Sequence, residues 1–168
     1  MELKNKKGGL ASIFIIFAVI FALAIAAIFF SKIFLAVVDE LQTVEQFSNN
    51  TQETLNLVEA QTIPLLDYFI FFSMIAFIIG MIIAAIYIDA PPAIIIAFIV
   101  GGIIVIFLAG QFANIFAEVT DKSAISGTAS QFTLTNLIFG TALPIIALFV
   151  VAVVIVILYG KSRNVSEV

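Results

Sequence analysis

The chain has 168 residues, 63% of them hydrophobic, and a mean hydropathy of +1.26, whereas soluble domains hold about 45–50% apolar residues. Such a chain cannot hide its apolar surface from water, and its apolar runs lack the alternation of barrel strands, which leaves a helical membrane domain. It has no Cys and no His, and its 7 basic and 11 acidic residues give a net charge of −4; this excludes disulfides, thiolate and imidazole metal sites, Cys or His nucleophile chemistry and a basic nucleic-acid footprint.

The first apolar run covers residues 10–38, broken only by Ser12, Ser31 and Lys32. As a helix it is about 43 Å long, more than the roughly 30 Å of bilayer hydrocarbon, so part of it must leave the membrane. Lys7 and Lys32 lie about 37 Å apart on such a helix, so their ammonium groups can snorkel to opposite interfaces. The span is therefore placed at 10–31, with a helical extension to about 47. The run is too long for the core of a signal peptide, and an uncleaved anchor is expected. Lys-Lys-Gly-Gly before an apolar helix also fits an archaeal pilin-like start, but three later spans make that a poor account of the whole chain.

Residues 39–64 form a polar segment with Asp39, Glu40, Glu45, Glu53 and Glu59 and no Lys or Arg. Leu41, Val44, Leu55 and Val58 keep helical spacing on either side of Ser48-Asn49-Asn50-Thr51, which predicts two short amphipathic helices, the second starting near Asn50 with Glu53 in a capping-box relation. A solvated loop is the plainer alternative. The second span is placed at 65–88, opened by Pro64. Asp89, Ala90, Pro91 and Pro92 then mark a tight antiparallel hairpin into a third span at 92–116. A Ser/Thr/Gly-rich loop is expected over 117–133. The fourth span covers 134–159, with a kink at Pro144, and is followed by a tail over 160–168. The chain thus reads as one all-α membrane domain with four transmembrane helices.

Lys4, Lys6, Lys7, Lys161 and Arg163 fall on the side shared by both termini, and Lys122 alone falls in the two opposite loops. Both termini are therefore expected to face the cytoplasm, with Lys7, Lys32, Lys161 and Arg163 as interface anchors. Small residues recur every fourth position as Ala18, Ala22 and Ala26, as Ala76, Gly80 and Ala84, and as Ala93, Ala97 and Gly101. Such stripes let helix backbones approach closely in lipid, and they are the expected seams of the bundle or of an oligomer, although Ala is common enough in membrane helices to produce some by chance.

Polar groups within the spans gather toward one end: Asp67 and Tyr68, Gln111 and Asn114, Thr135 and Asn136. A hydrogen-bonded cluster around Asp67 is expected there. Because Asp67 lies only three residues into its span, a structural role is favoured over an ion or proton role. The span centres carry no charge, and Gly101-Gly102 has no neighbouring acid or amide, which disfavours a coupled transporter. Asp89 fits a helix cap. The sequons at Asn49 and Asn164 carry no weight. Without a catalytic constellation, neither an enzyme nor a cofactor is expected.

The Lys-rich start Lys4-Asn5-Lys6-Lys7-Gly8-Gly9, the long first helix, the polar segment, and the stretch from Asp67-Tyr68-Phe69 through Asp89-Ala90-Pro91-Pro92 to Asn114-Ile115-Phe116-Ala117-Glu118 together have a familiar layout. It resembles that of small hydrophobic proteins of tailless icosahedral viruses, including phages, with an internal membrane, and the likeness covers most of the chain. The resemblance implies a structural protein of a virion membrane that touches the capsid from beneath and has no catalytic residues. The expected partners are membrane lipids, further copies of the chain or other membrane proteins, and a capsid protein, with no specific nucleic acid. The alternatives are a holin-like pore-former and an accessory membrane subunit of a larger complex.

Overall fold

The computed structural model describes residues 9–43, 49–87 and 92–165. Helix α1 is Gly9–Gln42, α2 is Asn49–Tyr87, α3 is Pro92–Thr120, α4 is Ser126–Ala129, α5 is Thr133–Phe139 and α6 is Ala142–Val165. No strand occurs among the described residues. Four of these helices, α1, α2, α3 and α6, are long and apolar enough to cross a membrane. Their outward faces carry bare Ile103, Phe107, Phe149 and Val156, each 65–70% exposed. An apolar surface of that extent is stable only against lipid. The protein is an all-α, multi-pass integral membrane protein.

Helix α1 runs antiparallel to α2, and α3 runs antiparallel to α6, whereas α2 and α6 run parallel. Phe17 of α1 meets Phe77 of α2, and farther along α1 Gln42 donates to Asn56 and Glu59, nearer the start of α2. Along α3 and α6, Phe116 packs near Phe139 just before α6, while Gly102 lies against Val151. At the opposite end the Lys161 ammonium, near the close of α6, donates to the carbonyl oxygen of Ile86 in the last turn of α2. That cation sits where the helix dipole is negative and satisfies a carbonyl with no partner in its own helix. The start of α1, the end of α2 and the end of α6 thus share one face of the bundle. The end of α1, the start of α2 and the end of α3 share the other.

Two helices are much longer than the bilayer is thick. With 34 and 39 residues, α1 and α2 extend about 51 and 58 Å, against roughly 30 Å of hydrocarbon. Their surplus forms a two-helix projection. The expected pair of short amphipathic helices is instead fused to the spans on either side: α1 continues through Asp39 and Glu40, and α2 begins at Asn49 and runs without interruption through Pro64. Pro64 therefore lies inside a helix and does not open one. Thr43 closes α1, its hydroxyl donating to the Glu40 carbonyl at 2.7 Å. Helix α1 continues to Gln42, and residues 44–47 of the expected extension lie outside the described residues, as do Lys7, Asp89 and Pro91. Pro92 opens α3.

The fourth span also differs. It is split at Gly140 and Thr141 into α5 and α6. The Gly140 N–H closes α5 on the Asn136 carbonyl at 2.9 Å, and a Cβ at Gly140 would come within 2.5 Å of that same oxygen. Only glycine fits such a close approach. Pro144 lies in the first turn of α6, where an N–H has no helical acceptor, so it costs the helix little. The expected loop over 117–133 is shorter as well, because α3 persists to Thr120 and α4 occupies Ser126–Ala129. Ile125, Ala129 and Phe132 from this stretch are buried in the core.

Candidate functional site: a carboxylate that caps a neighbouring helix

Helix α5 begins in a buried place without a capping side chain of its own. Its N-cap residue is Phe132, which is fully buried and offers no acceptor. The first N–H groups of a helix have no partner within it, and leaving them bare away from water costs free energy. Asp67, projecting from α2, supplies the acceptors. Its Oδ2 receives the Leu134 N–H at 2.9 Å, and its Oδ1 receives the Thr135 N–H at 2.7 Å and the Thr135 hydroxyl at 2.6 Å. Asp67 is 5% exposed and Thr135 is fully buried. Negative charge at a helix N-terminus is also favoured by the dipole. Nearby, the Asn136 amide donates to the Ala129 carbonyl at 2.7 Å and ties α5 to α4.

The expected polar cluster is thus narrower than its sequence pattern. Asp67, Thr135 and Asn136 come together within one region. Tyr68, Gln111 and Asn114 do not join them and lie exposed. Tyr68 is one helical step of about 100° round from Asp67. On α3 the inward positions are Ala109, Ala113 and Phe116, which turns Gln111 and Asn114 to the outside.

Beneath this polar corner lies a knot of aromatic rings that the sequence reading did not single out. Phe21 sits 4.8 Å from Phe112 and 5.6 Å from Phe139, ring centre to ring centre, while Phe17 is 5.2 Å from Phe112. Phe116 and Phe139 are 5.7 Å apart. Edge-on and tilted pairs at these distances are favourable beyond the area they bury. A signal was present in the sequence, since Phe17 with Phe21 and Phe112 with Phe116 are each one helical turn apart.

Most of the small-residue stripes lie outside this chain's own seams, although Ala84 and Gly101 line a cleft between α2, α3 and α6. Ala18, Ala22 and Ala26 on α1, Ala76, Gly80 and Ala84 on α2, and Ala97 on α3 are exposed, and Gly101 is half-buried; the Ala93 and Arg163 side chains are outside those described. The close contacts instead use Ala24, Ala85, Gly102, Ala109 and Ala113. A Cβ at Gly102 would collide with Cγ1 of Val151, so this glycine lets α3 and α6 touch. Lys32 is exposed on α1 next to Ser31, whose fully buried hydroxyl has no hydrogen-bond partner.

What this arrangement does chemically is hold helices together. Three donors converge on the Asp67 oxygens, and no group of His, Cys, Asp or Glu side chains suited to a metal ion occurs among the described residues. No protein-family profile, curated protein or solved structure matches the chain.

Proposed function

We propose that this chain is a non-catalytic structural protein of a membrane, most at home in the internal membrane of an icosahedral virion. Copies of it pack side by side, and its acidic projection meets a protein layer on one face. The observation that carries this reading is the projection itself. Beyond the bundle, α1 and α2 present Asp39, Glu40 and Glu53 to solvent, with half-buried Glu59 beside them. At the end of α3 Glu118 is paired with Lys122 at 3.7 Å, and Asp121 adds a further exposed carboxylate to the same face. Lys161 stands at the opposite face, which suits a cytoplasmic position for the termini under the positive-inside pattern. An acidic surface on the projecting ends of two long helices complements a basic inner surface of a shell.

A pore-forming role is less well supported. Of the described polar side chains, those buried are Ser31, Asp67, Thr128 and Thr135, near the projecting end of the bundle. The middle of the molecule is occupied by phenylalanine rings and aliphatic side chains. A conducting path needs polar groups or water through that level.

The test is co-purification. Lipid-containing particles separated on a density gradient are expected to hold many copies of this chain, which remain with the membrane after the shell is stripped at high salt. Absence from such particles removes the virion setting. Collapse of the membrane potential on expression, at a defined time, replaces the structural reading with the pore.

A further inference from the structure

Between α2, α3 and α6 lies a cleft of about 130 Å³, partly open at its edge. Phe98 and Phe112 mark its ends along α3, Ala84 and Met74 line it from α2, and Leu143 and Ile155 line it from α6. Every lining side chain is apolar, and of the described α1 side chains Phe17 alone reaches it. The cleft is lined by members of both buried clusters of the bundle, one around the phenylalanine knot and the other around Ala85, Ile95 and Leu158.

We propose that this cleft binds one acyl chain of a bilayer phospholipid. Three features select that occupant. First, an apolar cavity of about 150 Å³ stays dry and takes up apolar guests, so water is the wrong filling. Second, the stretch of α3 from one end of the cleft to the other is about 21 Å long, comparable with the roughly 15 Å hydrocarbon depth of one leaflet. A linear chain lying along the helices can follow that length. Third, the space is kept open by small side chains: a Cβ at Gly101 would meet nothing within 4 Å, and Ala84 and Ala147 line the other two walls. This assignment stands apart from the virion reading and holds for any membrane in which the chain resides.

The full chain, reconstituted in phosphatidylcholine and phosphatidylglycerol vesicles containing a phospholipid with a mid-chain diazirine, provides the test. Illumination is expected to label cleft residues such as Met81, and native mass spectrometry after detergent extraction is expected to find one phospholipid retained per chain. Gly101→Leu is expected to lower cleft labelling at least fivefold and to abolish retention while labelling at outward-facing Phe107 is unchanged. Ala147→Leu, which closes the cleft from α6, gives the same result by a second route should the first variant not fold. Equal labelling in wild type and both variants overturns the proposal, as does a wild-type cleft that is unlabelled. Cross-links through the cleft between two copies of the chain also overturn it, in favour of a protein occupant. Higher thermal stability of Gly101→Leu, with no phospholipid retained by the wild type, would reveal an empty void.

Discussion

Replacing Asp67 by Ala removes both oxygens that receive the Leu134 and Thr135 N–H groups and the Thr135 hydroxyl. Those donors are buried, and water cannot replace the lost acceptors without opening the bundle. Asp67→Ala should therefore destabilise the protein by about 2–3 kcal/mol, the scale for hydrogen bonds to a charged group. Thermal unfolding in detergent micelles measures this. Asp67→Asn retains one acceptor oxygen but turns an amide donor toward a helix N-terminus, so it should fall between wild type and Ala. Equal melting of all three would show that α5 needs no cap from α2. Ser31 presents the reverse case, because its buried hydroxyl has no partner. Ser31→Ala should be neutral or stabilise by about 1 kcal/mol in the same assay, because an unsatisfied buried hydroxyl is removed; a clear loss of stability would mean that the hydroxyl is bonded.

At the scale of elements, the breaks and close contacts depend on glycines whose importance is set by neighbours distant in sequence. Gly140→Ala should drive a methyl group into the Asn136 carbonyl and cost about 1–3 kcal/mol, the usual penalty for overpacking. Pro144→Ala should change stability by less than about 0.5 kcal/mol, since the first turn of α6 does not need that N–H. The reverse order in thermal unfolding would return the break to the proline. Gly102→Ala meets Val151, which on a helix is held to one dominant rotamer and cannot swing clear. It should separate α3 from α6 and lower the melting temperature, and Val151→Ala in the same chain should recover most of the loss. Without recovery, the two helices would not touch at this point.

These elements also show how far the sequence could be read. Number and kind of span follow from hydropathy and length, because lipid leaves a long apolar run no other way to satisfy its backbone. Asp67 stood out as the acid within a span, and its neighbours Thr135 and Asn136 came with it. Their partners in space were not legible, because an N–H of Leu134 or a carbonyl of Ala129 leaves no mark on side-chain chemistry. Nor was the α5–α6 break, since Gly140 differs from Gly101 only through what lies beside it. Small-residue spacing failed for a similar reason. Every fourth residue defines a face but not its direction, and on α1 the face turned inward is that of Phe21, Ala24 and Ile28.

For the whole molecule, the arrangement of charge depends on the four spans alternating in direction. The pairing of Lys161 with the end of α2 and of Gln42 with the start of α2 puts these two contacts on opposite faces of the bundle. Since the chain lacks cysteine, single thiols can report each face in sealed vesicles with an impermeant maleimide. Glu2→Cys and Ser162→Cys should react from one side, and Asn56→Cys, exposed on the projection, from the other. The excess of Lys and Arg at the termini predicts that the side shared by the first two is cytoplasmic. The two halves of this expectation can fail separately. If Glu2→Cys and Ser162→Cys share the outer side, the bundle stands and only its orientation is reversed, so the acidic projection would meet a cytoplasmic layer. If they report opposite sides, the number of crossings is odd, and one of the four apolar helices does not cross the bilayer.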